Sequence, residues 1–226
     1  MLASGFVRRQ MARMPTIFGV SASPFVRKVR AACAEKQIAY DTETFFPGGG
    51  GAEYRKLHPL GKIPAWKDER GILCDSSVIC AYLERIKPEP SLYPSDPYDY
   101  ARALWFEEYG DSAIAEKLTF GVFFKKMVAP RMTGKPADDA EIQRTWERES
   151  PPVFDYLESQ LDGEYFVGGR FTIADLGIAT HFVNLAHAGY TVDAARWPKL
   201  AALVTRIHAR PSVAPLIQED KAMFGG

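Results

Sequence analysis

The sequence predicts a small α/β domain followed by an all-helical domain. Up to Lys87 short strand-like and helical patterns alternate as βαβ, then α, ββ, α. The stretch "KPEPSLYPSDP" then marks a change of composition, and from Tyr98 onward long helical patterns replace almost all strand signal. The expected organisation is an N-terminal extension over residues 1–14, an α/β domain over 15–87, a linker over 88–97 and an all-helical domain over 98–226.

Taken in order, "MLASGFVRRQMARM" carries arginines, no acids and no apolar secretory core. It reads as a disordered extension, or as residues ahead of a true start at Met11 or Met14. Thr16–Val20, "TIFGV", is a buried strand by its β-branched and aromatic content. From Pro24, Phe25, Val26, Val29, Ala32 and Cys33 recur at helical spacing, which leaves Arg27, Lys28, Arg30 and Lys36 on the other face. "IAYDTETFF" alternates like a strand, Gly48 to Gly51 form a flexible loop, and Ala52–Leu57 suits a short helix. "KIPAWKDERGILC" is a hairpin turning at Asp68 to Gly71, and "DSSVICAYLERI" opens with a helix cap. Helical patterns then cover Tyr98–Met127, Glu141–Leu161, Ile173–Ala186 and Pro198–Ala209, with a short one after Pro211.

A hydrophobic content of 46% in 226 residues argues for a buried core and against a disordered chain. Lys plus Arg and Asp plus Glu both number 28, so charge offers no argument for nucleic acid or an anionic membrane. No apolar run is long enough to span a bilayer. Cys33, Cys74 and Cys80 are odd in number, lack metal-ligand spacing and sit in apolar contexts, which suits reduced thiols in a cytoplasmic protein. His181, His187 and His208 also lack a metal-ligand pattern and read as structural or surface residues, so no metal is expected.

Three short motifs have both a local and a chemical reading. Ser23-Pro24 is a helix start, with Ser as N-cap and Pro at the first helical position. It also follows the first strand of a βαβ unit, where open sheets bind ligands and a helix N-terminus favours anions. Gly61-Lys62-Ile63-Pro64 is a tight turn before a strand, and it leaves the backbone of Ile63 free to pair with an extended peptide. Asp75-Ser76-Ser77 caps a helix whose N-terminus is also a place for a carboxylate.

Ser-Pro-Phe before a basic helix, "HPLGKIPAW", "CDSSVICAYL" and "FTIADLGIA", in that order, resemble the soluble glutathione transferase family from about Thr16 to Ala222. The last motif is similar to that family's internal capping box, with Thr172 as N-cap, Asp175 at N3 and Phe171 and Leu176 as the staple. The resemblance implies a thioredoxin-like N-terminal domain that binds glutathione, an all-α C-terminal domain and a homodimer. It is of the serine type, bacterial or tau-like. By resemblance Ser23 is the catalytic residue, with Ser21 a second candidate. Ile63 and Pro64 pair with the cysteinyl backbone, Lys62 contacts the glycyl carboxylate, and Asp75 and Ser76 hold the γ-glutamyl end. His58 stands where Asn is common. Phe25, Tyr109, Phe120 and Phe124 are candidates for an apolar electrophile pocket, among neighbours that include Trp105 and Phe123.

The implied chemistry follows from thiols. A free thiol titrates near 8.5 and only the thiolate is a good nucleophile, so the Ser23 hydroxyl would hold the thiolate, assisted by the helix N-terminus and Arg27. Serine has no disulfide chemistry, which favours transfer to a small hydrophobic electrophile over disulfide reduction. A glutathione-dependent isomerase or dehalogenase uses the same residues. A catalytically silent interaction or regulatory protein keeps the scaffold without needing all of them.

Overall fold

The structure, a computed structural model, describes residues 14–47 and 51–224. Apart from Met14, the expected extension over residues 1–14 lies outside the described residues, as do Gly48 to Gly50 of the expected glycine loop. The α/β half comprises β1 (Thr16–Phe18), α1 (Pro24–Glu35), β2 (Asp41–Glu43), α2 (Gly51–Leu57), β3 (Ala65–Asp68), β4 (Gly71–Cys74) and α3 (Ser76–Ile86). Its sheet has the order β2-β1-β3-β4, with β2 parallel to β1 and antiparallel pairing between β1 and β3 and between β3 and β4. The first two strands are shorter than the sequence suggests. β1 stops before Gly19, at φ +155°, and "IAYDTETFF" joins the ladder only at Asp41–Glu43.

Register decides which loops meet. Phe18 lies opposite Ala65, and Ala65 lies opposite Cys74. The carboxyl ends of β1 and β4 and the amino end of β3 therefore stand side by side, so Gly19 to Ser23, Ile63-Pro64 and Asp75-Ser76 all emerge from one end of the sheet. Gly19 permits the close approach. A Cβ there would stand 2.5 Å from Val26 Cγ2 and 3.4 Å from Ile63 Cβ, where no side chain fits.

The helical half begins with α4 (Pro97–Tyr109), capped by Asp96, and runs without a break into a π-helical stretch over Gly110–Val128. The Ala129 N–H bonds the Phe124 carbonyl, five residues back, as a π register requires. The helix expected over Tyr98–Met127 is thus continuous but changes register at Gly110, which packs on the helix over Ile173–His187. A Cβ on Gly110 would approach the Gly177 carbonyl oxygen to 3.0 Å. Then come α5 (Ala129–Thr133), α6 (Asp139–Arg144), a π turn at Thr145–Glu149 and α7 (Ser150–Gln160). The pattern over Glu141–Leu161 is divided at Pro151 and Pro152, which have no N–H to continue the ladder. The chain finishes with α8 (Ile173–His187), α9 (Pro198–His208) and α10 (Ala214–Phe224).

α8 is the centre of the helical half, buried at every position from Ile173 to Leu185. Its start is the expected capping box. Asp175 Oδ2 accepts the Thr172 N–H at 2.8 Å, Oδ1 accepts the Phe166 N–H at 2.9 Å, and Phe171 and Leu176 are buried beside them.

The structure overturns one reading of α1. Arg27, Lys28 and Lys36, expected on the face opposite the apolar one, are all essentially inaccessible, because α1 packs against both α3 and α8. Each cation has its own partners: Asp220 for Arg27, Glu107 and Asp111 for Lys28, and Glu84 for Lys36.

Replacing Asp175 by alanine strands two buried backbone N–H groups, so unfolding in urea should show a loss of roughly 1–3 kcal/mol per stranded group.

Candidate active site

The N-terminus of α1 is built by Ser23. Its backbone is extended (φ −75°, ψ 126°), its Oγ accepts the Val26 N–H at 3.3 Å, and Pro24 occupies the first helical position. The cap uses Oγ as an acceptor. Among the described residues nothing accepts the hydroxyl proton, so Ser23 keeps a donor for a ligand.

Ser21 is differently placed. It lines a pocket of about 100 Å³ with Arg30, Thr42, Glu219 of α10 and Met223. Arg27 cannot assist a thiolate, which corrects the expectation. Its guanidinium is buried and engaged by Asp220, by the Thr180 carbonyl and by Asn184 Oδ1.

The Ile63-Pro64 bond is cis, and among the described residues no hydrogen bond engages the Ile63 backbone. Buried Tyr54 fixes the turn by donating to the Lys62 carbonyl at 2.8 Å, while the Lys62 side chain is exposed. His58 is buried near Tyr54, with Nδ1 unpartnered among the described residues and burial lowering its pKa.

Asp75 caps α3, accepting from the Ser77 N–H at 2.9 Å and the Val78 N–H at 3.2 Å. It does so at φ +77°, a conformation L side chains rarely adopt and one that concentrates at functional sites. Ser76, the first residue of the helix, is buried.

Ser77 joins this turn to a buried ionic cluster that sequence reasoning missed. Lys28 Nζ donates to Ser77 Oγ at 2.9 Å and to Asp111 Oδ2 at 2.7 Å, and lies 3.2 Å from Glu107 Oε1. Ser77 Oγ in turn donates to Asp111 Oδ2 at 2.9 Å. Burial alone would lower the Lys28 pKa, but the two carboxylates outweigh it and raise it. Burial would raise the Asp111 pKa, yet Lys28 and the hydrogen bonds hold it down to about 2. For Glu107 burial prevails, and its pKa is raised.

The aromatic candidates divide. Phe25 stacks with Phe120 at 6.4 Å between centroids, and Phe120 and Phe124 are both exposed. Tyr109 instead packs with Trp105 and Tyr156, at 5.9 and 4.7 Å. Beneath Phe25 lies His181, buried, edge-on at 5.3 Å and paired through Nδ1 with Thr119 Oγ1 at 2.8 Å. Burial lowers its pKa, so the ring is neutral at pH 7. The sequence signal that could have pointed to the cluster was Glu107 and Asp111, like charges four residues apart on one helix face, which repel mildly unless a cation lies near. Among the described residues no group of His, Cys, Asp or Glu could hold a metal ion, and no helix is long and apolar enough to cross a membrane.

Lys28→Met should cost about 3–5 kcal/mol, because it leaves buried carboxylates unpaired. Asp111 has a lowered folded pKa, so its contribution is present above about 3.9 and lost as pH falls toward about 2. Urea titrations at pH 7 and pH 3 should therefore show a smaller acid-dependent loss in the variant than in the parent.

Comparison with known proteins bears on the family and the fold. The model for the glutathione S-transferase N-terminal domain matches residues 17–91, and that for the C-terminal domain matches residues 123–220. The chain is 30% identical over 171 residues to a glutathione S-transferase of Hyoscyamus muticus, covering 71% of this chain and 77% of that protein. It is 28% identical over 203 residues to probable maleylacetoacetate isomerase 1 of Drosophila melanogaster, covering 86% and 78%. Among solved structures, a glutathione S-transferase from Rhodospirillum rubrum F11 matches with a TM-score of 0.80 at 25% identity, over 90% of this chain and 91% of that one. A thioredoxin-like α/β half and an all-helical half in this order are the fold of those enzymes, and the chain belongs to the glutathione S-transferase family.

Proposed function

We propose that this chain is a glutathione S-transferase of the serine type, in which Ser23 stabilises the glutathione thiolate for attack on a small hydrophobic electrophile. The observation that carries this reading is the convergence of Ser23, Ile63-Pro64 and Asp75-Ser76 at one end of the sheet, with a hydroxyl proton and an Ile63 backbone both uncommitted. These groups suit a tripeptide with a thiol in the middle and carboxylates at both ends. Ile63 pairs with the cysteinyl backbone. Ser76, Asp75 and the N-terminus of α3 take the γ-glutamyl end. Exposed Lys62 takes the glycyl carboxylate.

Ser23 then donates to the sulfur while its Oγ still accepts from Val26, so capping and catalysis do not compete. The positive end of α1 adds to the anion's stability. The serine is a donor and forms no bond to substrate. The electrophile meets Phe25, Phe120 and Phe124, an aromatic wall between the two halves, while Tyr109 packs with Trp105 and Tyr156.

Three free thiols, two of them buried, support a cytoplasmic setting. The likeness to the glutathione S-transferase family is what supports a homodimer. The likeness to probable maleylacetoacetate isomerase 1 supports a second reading, an isomerase that uses glutathione without consuming it.

Ser23→Ala should lower kcat/KM for thiol conjugation roughly 10- to 150-fold near pH 7, the worth of a hydrogen bond to a charged group, and move the activity profile to higher pH. Full activity in Ser23→Ala together with its loss in Ser21→Ala would overturn the assignment. Glutathione consumed per turnover distinguishes transfer from isomerisation.

A further inference from the structure

Asn184, in α8 of the helical half, is fully buried and donates from Nδ2 to the carbonyl of Ala22 at 2.9 Å. Its Oδ1 accepts from Arg27 Nη1 at 2.8 Å. The amide cannot sit the other way round, since a guanidinium only donates and a carbonyl only accepts. Arg27 continues the chain of bonds. Nη1 also reaches the Thr180 carbonyl at 2.8 Å, and Nε reaches Asp220 Oδ2 of α10 at 2.9 Å. Asn184, Arg27 and Asp220 each have no accessible surface.

We propose that Asn184 is a positioning residue for the Ser23 hydroxyl, and that Arg27 and Asp220 complete a relay through which the last helix holds it. This rests on Ser23 being the thiolate donor. The Ala22 carbonyl and the Ser23 N–H belong to one rigid peptide plane. That plane is fixed at both ends, by Asn184 on the oxygen and by the Val20 carbonyl, which accepts from the Ser23 N–H at 3.1 Å. Fixing the plane limits φ of Ser23, and with it the directions in which a staggered rotamer can point Oγ. A thiolate acceptor is sensitive to that direction, since hydrogen bonds weaken steeply off axis. A carboxylate on the C-terminal helix therefore sets the aim of a hydroxyl at the front of the α/β half.

The test is Asn184→Asp, which has nearly the same shape and still accepts from Arg27, but when ionised has no hydrogen for Ala22. Asn184→Ala serves as a second variant for the same measurements. In the protein without glutathione, amide hydrogen exchange at Ser23 should quicken about tenfold, as expected when one fixed end of the peptide plane is released. With glutathione, the apparent pKa of the bound thiol, read from the pH profile of kcat/KM and from thiolate absorbance, should rise by about one unit. The KM for glutathione should stay within about threefold, because binding groups on the other two loops are untouched.

Asp220→Asn should move both readouts in the same direction, and no movement there would overturn the part played by the last helix. A lower melting temperature with unchanged Ser23 exchange and an unchanged pH profile would overturn the relay. Faster Ser23 exchange in the variants, in a protein that shows no glutathione turnover, would support the relay and overturn the function proposed above.

Discussion

The molecule depends on the burial of α1 from two sides. A helix carrying Arg27, Lys28 and Lys36 can be enclosed only if every cation meets an acceptor inside, because an unpaired buried charge is prohibitively costly. The partners come from different parts of the chain. Lys36 binds Glu84 of α3 and the carbonyls of Lys87 and Pro90 in the connecting segment. Lys28 binds Glu107 and Asp111 at the start of the helical half. Arg27 binds α8 and α10. Buried ion pairs add little net stability compared with apolar packing, but they tolerate few alternative arrangements. The side chains of one helix thus dictate how the two halves, their connection and the C-terminal helix are set against one another.

The same arrangement explains what could be read in the sequence. Strands, helices and the hairpin were legible because they rest on local periodicity and turn chemistry, and the caps at Ser23, Asp75 and Thr172 are contacts within three residues. The candidate loops were legible for the same reason, since cap residues and a proline turn announce themselves. The buried cations were not. Hydropathy places a charged side chain in water, and the acid that answers Arg27 lies 193 residues away. His181 could be read only as structural or surface and Asn184 gave no signal, both lying on a largely apolar helix whose partners are known only once α1, the long helix and α8 touch.

Local and chemical roles share atoms at these loops without conflict. Ser23 gives the cap an oxygen and keeps a proton, and Asp75 spends one oxygen on two backbone donors while Ser76 stands behind it. A helix start is therefore a poor discriminator of function when taken alone. What distinguishes this chain is that register brings two such starts to the same end of one sheet, with Ile63 between them.

The glycine contact between the long helix and α8 has a mechanical consequence. Gly110 and Gly177 bring two backbones together with no side chain between them, and a Cβ on Gly177 would likewise fall 3.4 Å from the Glu107 Cα. Backbones in contact cannot be pressed closer, and drawing them apart would open a void in the centre of the helical half. The long helix that bears Phe120 is therefore held at a fixed depth on α8 at Gly110, beside Glu107 and Asp111 of the Lys28 cluster.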